Sequence, residues 1–434
     1  KKEAVHGDDR LATDKDLSES IFFSKKEKSS KYPSILIGKM FDGRYKDHYI
    51  KYAGQQFLML YAPTRSGKGV GIVIPNCLYY EDSMVVLDIK LENFELTAGH
   101  RQDNLGQEVY LFCPDGYQAR GDDDCTKRSH RYNPMFYISR DYNERTTDLN
   151  KVSTILFPKH GGENDMWIDL AESIFNGLAL YLLDLESEVG KDGKPIKPVT
   201  LSNILSLSTP TDGTNLGDWI KEEIKQRNSD ENIANWEQYY RTESLLDKPE
   251  LNRLDEATVR ALYSFANKPT KQQENILMTF QAQLKIFGDP PTASATSEND
   301  FDLRDIRKRK MTIYFGLSPD SIVMYKRLTN LFFSQLVGLN VGKGMMPSSN
   351  PELKYQCLLM LDEFTSMGKV SIIQESVAYT AGYNMRYVFI LQNKSQLEDK
   401  EAYGKEGANT LLANCAVELF YPPKAVDDSV KHIS

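Results

Sequence analysis

The run Phe57-Leu58-Met59-Leu60-Tyr61-Ala62-Pro63-Thr64-Arg65-Ser66-Gly67-Lys68-Gly69 decides the fold class. Its first five residues are apolar and Pro63 ends them, which is the pattern of a buried strand feeding a loop. Val70 to Tyr80 then reads as a helix. A loop in this setting turns successive backbone N–H groups and a helix N-terminus toward an anion, and Lys68 can reach the β and γ phosphates of a nucleotide. Against G-x-x-x-x-G-K-[ST] the run departs twice: Ala62 stands for the first glycine, and Gly69 for the hydroxyl that would hold magnesium. Thr64, Arg65, Ser66, Gly67, Lys68 and Gly69 are therefore the candidate nucleotide-binding residues. A glycine-rich turn that binds nothing is the plainer alternative for these residues alone.

On either side the text is rich in short apolar runs. Met84 to Asp88 and Glu108 to Phe112 read as strands, and Met311 to Phe315, Cys357 to Leu361, Tyr387 to Leu391 and Val417 to Phe420 add four more. Helical stretches, Asp320 to Leu339 and Val370 to Ala381, fall between them. Strands alternating with helices predict an α/β fold whose mostly parallel sheet is covered on both faces. From Asp165 to about Phe287 the pattern changes to long helical segments such as Trp167 to Leu185. The expected division is a nucleotide-binding domain in two parts, residues 1–160 and 291–434, interrupted by an inserted all-α domain at 161–290.

Composition narrows the class. Of 434 residues, 40% are hydrophobic and 26% charged, which excludes wholesale disorder and fibrous repeats. The net charge of −8 disfavours a protein that coats nucleic acid with a generally basic surface. Residues 161–290 hold 22 acidic and 13 basic side chains, so the acidity lies almost wholly in the expected insert. Cys77, Cys113, Cys125, Cys357 and Cys415 show no C-x-x-C spacing and predict neither a disulfide framework nor a zinc site. The apolar stretch Ile174 to Leu185 is broken by Asn176 and Asp184 and is shorter than the ~20 residues of a membrane helix. No signal peptide is legible, and the expectation is a soluble segment cut from something longer.

A second motif adds chemistry to the loop. Leu358-Leu359-Met360-Leu361 runs into Asp362-Glu363, two carboxylates at a strand's carboxyl end. Asp362 is placed to hold Mg²⁺ through water, and Glu363 to polarise an attacking water. Gln392 ends the following strand at the same edge, where its amide can sense a γ phosphate or orient water. Arg386 is the only arginine between Glu363 and Gln392; it is a candidate for the cation that neutralises transition-state charge from a neighbouring subunit, or else an ordinary ion-pair arginine. With Lys68, these residues make an ATPase reading with ATP and Mg²⁺ as cofactors.

Three longer stretches carry a resemblance: Ala62 to Pro75 (APTRSGKGVGIVIP), Asp88 to Gly99 (DIKLENFELTAG) and Leu361 to Lys369 (LDEFTSMGK), supported by His6-Gly7, Arg10-Leu11-Ala12-Thr13 and Ala381-Gly382-Tyr383. Together they make the chain resemble the type IV secretion coupling proteins of the TraG/TraD kind across most of residues 1–160 and 290–425. The resemblance implies a RecA-like P-loop NTPase domain with an all-helical domain, assembled as a homohexamer at the cytoplasmic face of the bacterial inner membrane. It further implies ATP-driven delivery of relaxosome DNA or of protein effectors with their adaptors to an inner-membrane secretion channel. Such proteins usually carry transmembrane helices, so the segment is expected to be the portion without its anchor. A recruitment platform with little ATPase activity, and a related ring-shaped DNA pump, are the competing readings.

Other features favour plain structural roles. The run Arg304, Arg307, Lys308, Arg309, Lys310 reads as a solvated turn before a strand, with backbone tracking of DNA as the alternative. Trp236, Tyr239 and Tyr240 read as core packing rather than base stacking. The cluster Lys25 to Lys31 reads as a solvated loop.

Overall fold

The structure is a computed structural model, and it describes residues 12–20, 22, 31–118, 128–242 and 247–422. The basic cluster at 25–30, the motif residues 6–11 and Cys125 lie outside the described residues.

Nine strands follow one another along the described chain. β1 (Ile35–Lys39) and β2 (Tyr49–Tyr52) pair as an antiparallel hairpin. β3 (Phe57–Tyr61), β4 (Ser83–Ile89), β5 (Glu108–Phe112), β6 (Met311–Leu317), β7 (Cys357–Leu361), β8 (Met385–Leu391) and β9 (Cys415–Phe420) form one sheet in the order β5-β6-β4-β7-β8-β3-β9. β3 pairs in parallel with β8 and β9, β4 with β6 and β7, and β7 with β8. The five interior strands are buried along nearly their whole length, which is why they read as unbroken apolar runs instead of alternating ones.

Two buried arginines fasten helices to this sheet without any carboxylate partner. Arg101, on the helix Glu92–Asp103, donates to the carbonyls of Cys77, Tyr80 and Asp82 and to Thr312 Oγ1 and Gln107 Oε1, at 2.6–3.0 Å. Arg307 donates to the carbonyls of Asn340, Met345 and Tyr383 at 2.5–2.8 Å, closing the end of the helix Ile322–Asn340. It is fully buried, so the basic run is not wholly the solvated turn expected from sequence. Arg304, Lys308 and Arg309 do face solvent, paired with Asp302, Asp305 and Glu108.

The chain divides into two compact units, Lys1–Leu111 with Asp302–Ile322 and Ser334–Ser434, and Phe112–Phe301 with Val323–Phe333. In the second, the helix Asp165–Leu185 is flanked by Arg145–Leu156, Glu256–Ala266 and Thr270–Leu284. Its 21 residues are long and apolar enough to cross a membrane by length and composition, where the sequence suggested a shorter stretch; more than half of its most apolar window is buried inside the protein. Gly177 admits the Glu256–Ala266 helix, since a Cβ there would lie 3.3 Å from Leu262. Asp184 tolerates burial because it accepts from Arg145 (2.8 Å), Thr258 Oγ1 (2.7 Å) and the Asp255 N–H (2.8 Å). Trp236 is buried with its indole N–H on the Leu251 carbonyl, while Tyr240 is largely exposed.

Candidate active site

At the carboxyl end of β3, the Ala62 N–H continues the pairing by donating to Leu391 O of β8 (2.8 Å). The chain then turns through two left-handed residues, Arg65 (φ 62°) and Gly67 (φ 90°). Glycine suits the second position because a Cβ is disfavoured at that φ. The helix that follows opens as a π-turn, Gly69–Val73, and continues as Ile74–Tyr79. No side chain caps it; the Gly71 N–H donates to Gly67 O (2.9 Å), and a helix start without a side-chain cap leaves N–H groups for an anion. Thr64 and Arg65 are exposed and Ser66 is partly buried, with its Oγ enclosed and without a hydrogen-bond partner. A Cβ on Gly69 would meet nothing within 4 Å, so crowding does not explain the absence of a hydroxyl there.

The edge residues of three adjacent strands converge on this loop. Leu361 of β7 is level with Phe389 of β8, and Leu391 with Tyr61 of β3, so Gln392 and Ala62 leave the sheet level with each other and Asp362 two residues earlier, on the neighbouring strand. Lys68 Nζ lies 2.8 Å from Asp362 Oδ1 and 2.5 Å from Glu363 Oε1. Gln392 Nε2 approaches Glu363 Oε2 at 3.4 Å. Glu363 itself is left-handed (φ 53°), and its N–H donates to Asp362 Oδ1 at 3.0 Å. A non-glycine residue in that region is strained, and such strain is found where surrounding structure fixes a functional side chain.

Charge is concentrated here in a half-enclosed space. Burial works to lower the Lys68 pKa, but the Asp362 and Glu363 carboxylates outweigh it and hold the ammonium above its ordinary value. Burial raises Asp362, and Lys68 only partly opposes this. Asp88, near the end of β4, is pushed up to about 6 by burial, against hydrogen bonds from the N–H groups of Phe94 and Asn93 and the Asn93 side chain; the Asp362 charge adds to the rise. Asp88 anchors the N-terminus of the helix Glu92–Asp103 and is the residue here that motif chemistry alone did not single out. An aspartate near a buried strand's carboxyl end, as in Asp362, is the signal that finds it.

Arg386 is not among these residues. It is the second residue of β8, level with Leu358 at the start of β7, and so about 20 Å of strand separates it from Gln392. Arg386 is 1% exposed; its guanidinium lies over the Tyr52 ring at 5.4 Å and makes long contacts to Pro33 O and Gln356 Oε1. Its Nε and Nη2 have no partner. The residue that the sequence offered as an arginine finger is thus buried at the amino end of β8, apart from Lys68, Asp362, Glu363 and Gln392.

Strand order, loop and carboxylate edge define a RecA-like P-loop α/β protein. The sequence pattern of the family described as type IV secretory system conjugative DNA transfer matches residues 10–434, and the chain belongs to that family. The conjugal transfer protein TraG of Escherichia coli is 26% identical over 446 residues, covering 99% of this chain and 64% of that protein. Protein VirD4 of Rhizobium radiobacter is 28% identical over 414 residues, covering 94% and 52%. The chain thus spans between about half and two thirds of the length of the curated relatives it matches. Among solved structures, the conjugative coupling protein TrwB superposes with a TM-score of 0.51 at 15% identity over 85% of this chain and 71% of that one. TrwB in complex with the non-hydrolysable ATP analogue ADPNP superposes equally well, at 14% identity over 84% and 71%. At that identity the likeness establishes the fold.

Proposed function

We propose that this chain is the ATP-hydrolysing part of a coupling protein, which takes DNA–relaxase complexes or protein effectors and passes them to a type IV secretion channel at the inner membrane. The observation that carries the reading is the convergence of Lys68, Asp362, Glu363 and Gln392 beside a glycine-turned loop. Two related TrwB structures are described as complexes with ADPNP and with ADP and Mg²⁺, which supports ATP and Mg²⁺ as the ligands.

The residues present fit such a ligand. The uncapped helix start and the left-handed Gly67 provide an anion cradle, and the unpartnered Ser66 Oγ lies within that loop. Gly67, Lys68 and Gly69 would hold the phosphates and Asp362 would hold Mg²⁺ through water. Bound Mg²⁺ supplies neutralisation of phosphate charge. Lys68 exchanges its carboxylate partners for phosphate oxygens, which frees Glu363 to accept a proton from water, and Gln392 orients that water beside it. A homohexamer at the cytoplasmic membrane face is the working assembly in this reading, with the relaxosome, secreted effectors and the inner-membrane channel as partners.

Measured ATP turnover of the wild-type chain, with and without DNA and across a salt series, tests the proposal. DNA-stimulated turnover that declines with salt supports it; no turnover with DNA or with an effector defeats the motor reading. The excess of acidic residues at 161–290 favours a second role for the helical unit, the docking of basic substrates or adaptors. Retention of such partners that weakens at high salt is the expected signature.

A further inference from the structure

Strand β3 has a different neighbour on each side. On the β8 side lie Gln392 and, one strand further, Asp362 and Glu363, which hold the Lys68 ammonium. The terminal phosphates of a nucleotide gripped by Lys68 therefore lie toward β8. A linear ligand whose phosphates follow the loop has its nucleoside end on the opposite side of β3, over β9. The residue that leaves β9 at this edge is Tyr421.

Tyr421 is fixed in that place. Its N–H donates to Tyr61 O, the last residue of β3, at 2.9 Å. Its hydroxyl lies against the helix that follows the phosphate loop, so close that a Cβ on Gly71 would overlap it. Gly71 is solvent-exposed and has no left-handed backbone to justify a glycine. Glycine within a helix costs stability relative to alanine, and the approach of Tyr421 supplies the reason for it. The neighbouring Phe420 is already stacked on Tyr61 at 4.7 Å and 18°, whereas Tyr421 is partly exposed.

We infer that Tyr421 is the platform on which the nucleobase stacks, and that Gly71 is the residue that lets it stand there. The inference rests on the nucleotide-binding reading above and adds to it the face that receives the base. Stacking on an aromatic ring tolerates any base, so the platform contributes affinity for the nucleoside without choosing among purines.

Calorimetric titration of the whole chain with ADP and, separately, with inorganic pyrophosphate tests this. Tyr421→Ala is expected to weaken ADP roughly tenfold and to leave pyrophosphate within about twofold of wild type. Tyr421→Phe keeps the ring and is expected to keep ADP affinity. Gly71→Ala displaces the ring and should weaken ADP, with the double variant no worse than Tyr421→Ala alone. Unchanged ADP affinity in Tyr421→Ala overturns the inference. So does an equal loss for ADP and pyrophosphate, which would mark a damaged loop. A wild-type chain that binds neither ligand overturns the nucleotide reading itself, and the platform falls with it.

Discussion

The ammonium of Lys68 lies 2.8 Å from Oδ1 of Asp362, joining the helix after β3 to the end of β7. Removal of that cation leaves two carboxylates facing each other in a half-buried space. Lys68→Ala is expected to lower ATP turnover by at least about 100-fold, the usual cost of losing a charge-stabilising donor. Steady-state turnover measures it, and a rate near that of wild type would remove Lys68 from the site.

Gln392 touches Glu363 only at 3.4 Å, a contact suited to adjustment rather than to binding. Gln392→Ala should lower kcat by about tenfold with little change in KM, as expected when an interaction acts after substrate has bound. A rise in KM at constant kcat would assign it to binding instead.

Arg386 gives a sharper contrast. Its buried guanidinium has two unpartnered nitrogens and no carboxylate, so a methionine of similar length should be neutral or stabilising by about 1 kcal/mol. Turnover of Arg386→Met should stay within about threefold of wild type, where loss of an arginine finger costs 10³-fold or more. Chemical denaturation and turnover together decide the matter.

Asp88 predicts a pH dependence. Its folded pKa, about 6, is above the ~3.9 of an unfolded aspartate, so the folded state holds the proton more tightly. This contribution to stability is fully present below about pH 4 and is lost as pH rises through 6, amounting to roughly 3 kcal/mol. In urea unfolding, the stability of Asp88→Asn relative to wild type should therefore improve by about that amount between pH 4 and 7. A pH-independent difference would rule the assignment out.

Asn76 couples the β1–β2 hairpin to the phosphate-loop helix. Its side chain accepts from the Leu36 N–H and donates to the Leu36 and Ile72 carbonyls, each at 2.8 Å. Asn76→Ala strands these buried groups and should cost about 2 kcal/mol. Hydrogen exchange at Leu36 should accelerate with it; unchanged protection there would mean that the hairpin is held by other contacts.

Much of this was legible from residue order, and the reasons are local. The interior strands announce themselves because burial on both faces leaves no polar alternation, and their carboxyl ends then bring Lys68, Asp362, Glu363 and Gln392 together by register. The hairpin gave no such signal: Ile35–Lys39 is only half-buried, contains a glycine and carries a register shift. Closeness in sequence to Gln392 did not place Arg386 beside it, because the two stand at opposite ends of β8. Arg307 sits in a run of cations, where nothing in the text distinguishes the one whose guanidinium is spent on inward-facing carbonyls.

The order β5-β6-β4-β7-β8-β3-β9 has a consequence for how the molecule is made. Of the seven strands in this sheet, the three that come first in the chain do not touch one another: β3 lies between β8 and β9, β4 between β6 and β7, and β5 beside β6. When residue 300 has been synthesised, the phosphate loop and β3, β4 and β5 exist without any of their partners in the seven-stranded sheet. Parallel pairing over such separations is slow, and unpaired apolar strands invite aggregation. β3, β4 and β5 therefore gain their neighbours only when residues 311–420 have been made.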